Sequence, residues 1–95
     1  MATYIIFSRV SPEAFSDPYE FKKIAETVAS KIRAQCPGVR WRESYAVNGR
    51  FDVIDIIESD DTKQVMKAAM IIRAYGHSIT ETMEATPWEE FLGMI

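Results

Sequence analysis

The chain has 95 residues, of which 47% are hydrophobic and 26% charged, with a formal net charge of −3. That length holds one hydrophobic core, so a single domain over residues 1–95 is expected, and the composition excludes a disordered or collagen-like chain. The acidic balance argues against nucleic acid, which calls for a basic stripe, and against a polybasic membrane contact.

Thr3 to Ser8 (TYIIFS) is short, β-branched and aromatic, the pattern of a mostly buried strand. After a connection through Pro12, Asp17-Pro18-Tyr19-Glu20 has the form of a helix start, with Asp17 as cap, Pro18 in the first helical position and Glu20 answering from the third. Phe21, Ile24, Ala25, Val28, Ala29 and Ile32 then recur at helical spacing, and Pro37-Gly38 stops the helix. Val39 to Val47 is a more polar strand, carrying Arg40, Arg42, Glu43 and Ser44. Asn48-Gly49 reads as the turn of a hairpin, because both residues accept positive φ at little cost. Phe51 to Ile57 is the most apolar strand-like run, and it ends near Glu58.

Asp60-Asp61-Thr62 offers caps for a second helix, with Val65, Ala68, Ala69, Ile72 and Tyr75 as its stripe and Gly76 past its end. His77 to Ala85 alternates and is rich in threonine, as a strand with one wet face would be. Thr86-Pro87-Trp88-Glu89 matches a capping box with proline at the first helical position, opening a short last helix. The longest unbroken apolar run, Ala68 to Ile72, is too short to span a bilayer, and Met1-Ala2-Thr3-Tyr4 lacks the positive start of a signal peptide. Cys36, the single cysteine, suits a reducing compartment. A cytoplasmic protein is expected.

The order βαββαβ implies an α+β, ferredoxin-like arrangement. With right-handed crossovers the four antiparallel strands take the order 4-1-3-2, two helices cover one face, and the short C-terminal helix is left over. Strands 1 and 3, the central pair, are apolar at both parities: Ile5 and Phe7 against Tyr4 and Ile6, then Ile54 and Ile56 against Phe51, Val53 and Ile57. Both faces of the sheet are therefore expected to be covered, the helix-free one by a second copy of the chain. The last helix is too small to cover more than part of it.

Gly49-Arg50-Phe51-Asp52, followed by Val53-Ile54-Asp55-Ile56-Ile57-Glu58, resembles the signature of the GYD domain family, named for a Gly-Tyr-Asp motif. Here an arginine intervenes and phenylalanine stands in place of tyrosine, which removes that hydroxyl. Pro37-Gly38-Val39, Ser44-Tyr45-Ala46, Gly76-His77 and Thr80-Glu81-Thr82 are similar to the family as well, so the resemblance spans nearly the whole chain. It implies a dimeric α/β barrel, a group that includes cofactor-free monooxygenases, haem enzymes and the ligand-binding domains of feast/famine regulators. It carries over no catalytic residue.

The topology gathers Arg9, Tyr45, Asp52 and His77 at one edge of the sheet, within reach of an anionic or carbonyl-bearing ligand. His77 is a natural acid/base near neutrality, and Asp52 is placed to orient it. Set against this, a carboxylate in a turn more often accepts backbone N–H bonds, and His77 follows Gly76 into a strand. Asp55 lies inside an apolar run and needs a partner or a proton if its face is covered. A two-residue hairpin loop sets Arg42 opposite it; a three-residue loop sets Glu43 there. Cys36 has no visible base, one histidine makes no metal-ligand spacing, and no glycine-rich phosphate loop is present, so neither metal nor cofactor is expected. Acid/base groups are few, which favours a small-molecule-binding module over a cofactor-free oxygenase- or isomerase-type enzyme; a purely structural assembly protein is the third reading. The partners expected are a second copy and a small molecule, with no nucleic acid and no membrane.

Overall fold

The computed structural model describes residues 1–95. The chain runs β1 (Ala2–Val10), α1 (Pro18–Gln35), β2 (Val39–Ala46), β3 (Val53–Ser59), α2 (Thr62–Tyr75), β4 (Ser78–Ala85) and α3 (Trp88–Gly93). The four strands form one antiparallel sheet in the order β2-β3-β1-β4, the expected order counted from the other edge. No helix is long and apolar enough to cross a membrane.

The helix starts follow from their side chains. Asp17 accepts a bond from the Glu20 N–H at 3.0 Å with Pro18 just inside the helix, while the Glu20 carboxylate reaches back to the Ser16 N–H at 2.9 Å. Asp61 caps α2 through the Lys63 N–H at 2.9 Å. The central strands are sorted by their pleat. In β1, Tyr4, Ile6 and Ser8 are buried beneath the helices while Ile5 and Phe7 face the other way; in β3, Asp55, Ile57 and Ser59 are buried and Ile54 and Ile56 face the other way. Ile6 and Ile57, both 0% exposed, anchor a core completed by Val65, Ala68, Ile71 and Ile72 of α2 and Ile32 of α1.

Two expectations are corrected here. Ala46 pairs with Val53, and the Val47 N–H donates to the Asp52 carbonyl at 3.0 Å, so Asn48 to Phe51 form a four-residue connection. No glycine has positive φ, so the left-handed conformation that Asn48-Gly49 accepts is unused, and Phe51 lies before the strand instead of in it. Its ring packs on Phe7, centroids 5.1 Å apart. The pairing also slips between Trp41 and Glu43, a bulge that leaves Arg42 as an extra residue.

The second correction concerns α3. The helix begins at Trp88 with Pro87 as N-cap and no side-chain cap bond. Thr86 is thus one residue too early to cap, because the proline takes the boundary position and not the first turn. This helix makes no close approach to any other element, so it covers none of the sheet. Trp88, Phe91 and Leu92 stand exposed, Trp88 stacked on Phe91 at 5.7 Å.

Candidate functional site

α1 packs on α2, yet over β1, β2 and β3 it leaves a cavity of about 600 Å³. The stripe of α1 that the spacing marks as core forms one wall of it: Phe21, Ile24 and Val28 are only half-buried, and Ile32 is the single α1 residue fully enclosed. Val10, Trp41 and Val53 supply the apolar part of the opposite wall. The volume falls in the roughly 300–1,000 Å³ range of small-molecule sites, and the apolar lining with few polar groups is their usual makeup.

Beside Arg33 of α1 and Ser78 of β4, three polar side chains of β1, β2 and β3 interrupt this lining: Ser8, Ser44 and Asp55. All lie on the helix side of the sheet, where the pleat would otherwise set hydrophobic residues. Asp55 is 6% exposed. Its partner is neither Arg42 nor Glu43: the four-residue loop sets Ser44 directly opposite it. The Trp41 indole N–H donates to Ser44 Oγ at 2.8 Å, and the Ser44 hydroxyl donates to Asp55 Oδ1 at 2.6 Å. Arg42 pairs instead with Glu58 at 3.0 Å, on the other face. Burial pushes the Asp55 carboxyl above its ordinary value, opposed by the hydrogen bond from Ser44 and then by the Trp41 N–H behind it. Ser8 is 3% exposed, and its hydroxyl has no partner at all.

The shift at Asp55 has a measurable sign. Because the folded state holds this proton to higher pH than the unfolded chain does, the carboxyl's contribution is complete below the unfolded value and is lost as pH rises through the folded one. Asp55→Asn removes the penalty of ionising a buried group. The melting temperature of the variant relative to wild type is therefore expected to rise between about pH 3 and pH 7. A difference that stays constant across that interval in thermal melts would show that Asp55 titrates alike folded and unfolded.

The four residues gathered at the strand edge are divided among different surroundings. Arg9 and His77 line a second cleft of about 620 Å³, which Arg73 and Glu13 also border. His77 holds a left-handed backbone, φ 50°, uncommon for a residue with a side chain, and its carbonyl accepts the Ser11 N–H at 2.9 Å. The Asp52 carboxylate accepts the Val10 N–H at 2.8 Å, and its own N–H donates to the Ser8 carbonyl at 2.8 Å. Asp52 thus ties the hairpin connection to the end of β1. Tyr45 is exposed on the helix-free face and donates to Glu43 at 2.5 Å; that bond, then the carboxylate's charge, then a little burial raise its phenol. Cys36 sits in the wall of the cavity under α1, and burial pushes its thiol up despite the opposing charge of Lys67, which leaves it a poor nucleophile. No group of three or more His, Cys, Asp or Glu residues is placed to hold a metal.

Ser8 and Ser44 are residues that the strand pattern passes over. The available signal is parity: Ser8 shares the apolar side of β1 with Tyr4 and Ile6, as Asp55 shares that of β3 with Val53 and Ile57. On the opposite side of the sheet Ile5, Phe7, Ile54 and Ile56 form a half-buried row flanked by exposed Ile79 and Met83, with no element of the chain over it.

The family model of the GYD domain matches residues 4–95. A protein of Thermus thermophilus named "Glutamine synthetase and cystathionine beta-lyase binding protein" is 24% identical over 99 residues, an overlap that takes in 100% of this chain and 99% of the relative. Among solved structures, TTHA0845, also from Thermus thermophilus, superposes with a TM-score of 0.58 at 18% identity, covering 92% of this chain and 95% of that one. At3g17210 from Arabidopsis thaliana superposes with a TM-score of 0.56 at 9% identity, again over 92% and 95%. These two likenesses carry the fold, a ferredoxin-like βαββαβ domain.

Proposed function

We propose that this chain, which belongs to the GYD domain family, is a homo-oligomeric module that binds a small, mainly apolar molecule between α1 and the sheet. The observation that carries the binding reading is the cavity itself: about 600 Å³, walled by hydrophobic residues, with an orphaned serine and a buried carboxylate inside it. A core closed for stability alone would fill that space, since each lost contact weakens packing. The relative from Thermus thermophilus, named for binding two enzymes, supports a role exercised through binding.

The oligomer reading rests on the helix-free face. Fully burying one isoleucine or phenylalanine stabilises by about 1.5–3 kcal/mol, and at least four such side chains stand there half-covered. A second copy, face to face, would close the row as a dimeric α/β barrel does.

Nile red, a neutral apolar dye, tests the cavity. Its fluorescence is expected to rise with wild-type protein. Ala29→Phe, which sets a ring into the space, should weaken binding at least about tenfold, or ~1.4 kcal/mol. Dye binding that Ala29→Phe leaves unchanged would place the dye elsewhere and remove the support for the cavity.

A second reading has its own observation. Arg9, Arg73 and His77 border one polar cleft at the strand edge, a setting for the carboxylate or phosphate of an anionic ligand. In that reading Asp52 holds the turn beside Arg9, and Tyr45, on the opposite edge strand, lies outside the cleft.

A further inference from the structure

We propose that the cavity between α1 and the sheet is built for an uncharged apolar molecule bearing one hydroxyl group, held between Ser8 and Asp55; this rests on the cavity reading above. The first observation is Ser8. Its hydroxyl is enclosed, borders the cavity, and makes no hydrogen bond with any protein group. Buried polar atoms are nearly always paired, so an orphan on a residue that lines a cavity marks the place of a partner that comes from outside.

The second observation is the direction of the chain of bonds at Asp55. The Trp41 N–H has only one thing to do, which is donate, and it donates to Ser44 Oγ. Ser44 must then point its own hydrogen at Asp55 Oδ1. Oδ1 is thereby fixed as an acceptor, and the hydrogen bond to this carboxylate ends there and not on Oδ2. The register sets Ile6 opposite Asp55 and Val53 opposite Ser8, so Ser8 and Asp55 are diagonal neighbours on one face. Such neighbours are about 7–8 Å apart along the sheet, which leaves room for one ligand atom between their side chains.

The chemistry of that atom follows. It takes a hydrogen from Ser8 and gives one to Asp55, and a hydroxyl oxygen does both. A carbonyl or an ether offers nothing to the carboxylate. An anionic group would meet Asp55, and a cationic one would share the cavity with Arg33. The surrounding wall of Phe21, Ile24, Val28 and Val53 suits a ring system or an alicyclic body for the remainder.

Calorimetric titration of the full chain with β-naphthol and with its methyl ether tests this. The ether keeps the shape and the acceptor and lacks the donor. β-Naphthol is expected to bind at least about tenfold tighter than the ether, a difference that Ser8→Ala reduces. In Asp55→Asn the bond from Ser44 keeps the amide oxygen at the Oδ1 position and turns the NH2 group into the cavity, so the preference should reverse towards the ether. Equal affinity of the two probes for wild type overturns the hydroxyl assignment and leaves the cavity reading standing. Binding of neither probe overturns the proposal, and Nile red then shows whether the cavity reading falls with it. A preference for β-naphthol that both variants retain assigns the hydroxyl to other residues and equally overturns it.

Discussion

Replacing Ile56 with aspartate is expected to leave a folded monomer. Ile56 lies in the middle of the helix-free face, paired across the sheet with Ile5 on one side and Glu43 on the other. If two copies bury that face against each other, a two-fold interface contains the substitution twice. An enclosed carboxylate without a partner costs several kcal/mol, so the dissociation constant should rise by about three orders of magnitude or more. Within one copy the new side chain stays in water and the core beneath it is untouched. Sedimentation or light scattering at micromolar concentration reads the result, with circular dichroism to confirm the fold. A variant that remains dimeric would show that the interface lies elsewhere; a wild-type monomer under the same conditions would remove the dimer altogether.

The next residue along the strand gives the opposite outcome. Ile57 is 0% exposed and points at α2. Ile57→Ala should cost about 2–5 kcal/mol, through lost burial and the void left behind. Against a total of about 5–15 kcal/mol for a domain, that is a large part of the stability, and the denaturant midpoint should fall accordingly. The surviving folded fraction should still associate as wild type does, because the change faces away from the proposed interface. Protein concentration must be held equal, since association itself adds apparent stability. A loss below about 1 kcal/mol would mean that the core closes around the gap.

Much of this architecture is legible without coordinates because it rests on periodicity. The alternation in β1 and β3 marks two buried sides, and the stripes of the helices, the Asp17 and Asp61 caps and the order of elements leave few topologies open. The family resemblance carried by Gly49 to Glu58 points to the same fold. What escapes is offset, not type. Asn48-Gly49 suggests a tight turn, but the connection takes four residues, which brings Ser44 to Asp55, and the bulge at Arg42 then sets Trp41 opposite Ile57 on the same face. No local preference of these residues announces either offset. At Thr86 a shift of one residue in the helix start voids an apparent capping box. The cavity escapes for a different reason: Phe21, Ile24 and Val28 have the same spacing whether α1 sits tight on the sheet or stands away from it. That separation is set by side-chain volumes on three elements at once. The convergence of Arg9 and His77 on one cleft is legible from topology, while the commitments of Asp52 to Val10 and of Tyr45 to Glu43 depend on side-chain directions that topology leaves open.

The place of β1 in the sheet has a consequence for biosynthesis. This strand is made before the other three, yet its neighbours are β3 and β4: Ala2 pairs with Ser59, and Thr3 with Ala85. Contacts so distant in sequence give the domain a high contact order and slow its folding relative to a helical bundle of the same size. On the ribosome, at about 5–20 residues per second, Tyr4-Ile5-Ile6-Phe7 waits on the order of seconds for β3 to emerge. During that interval its two apolar sides and its unpaired backbone are open at once, which makes it the stretch of nascent chain that a chaperone would hold. The pairing with β4 comes last of all, so the sheet closes only when almost the whole of these 95 residues has left the exit tunnel.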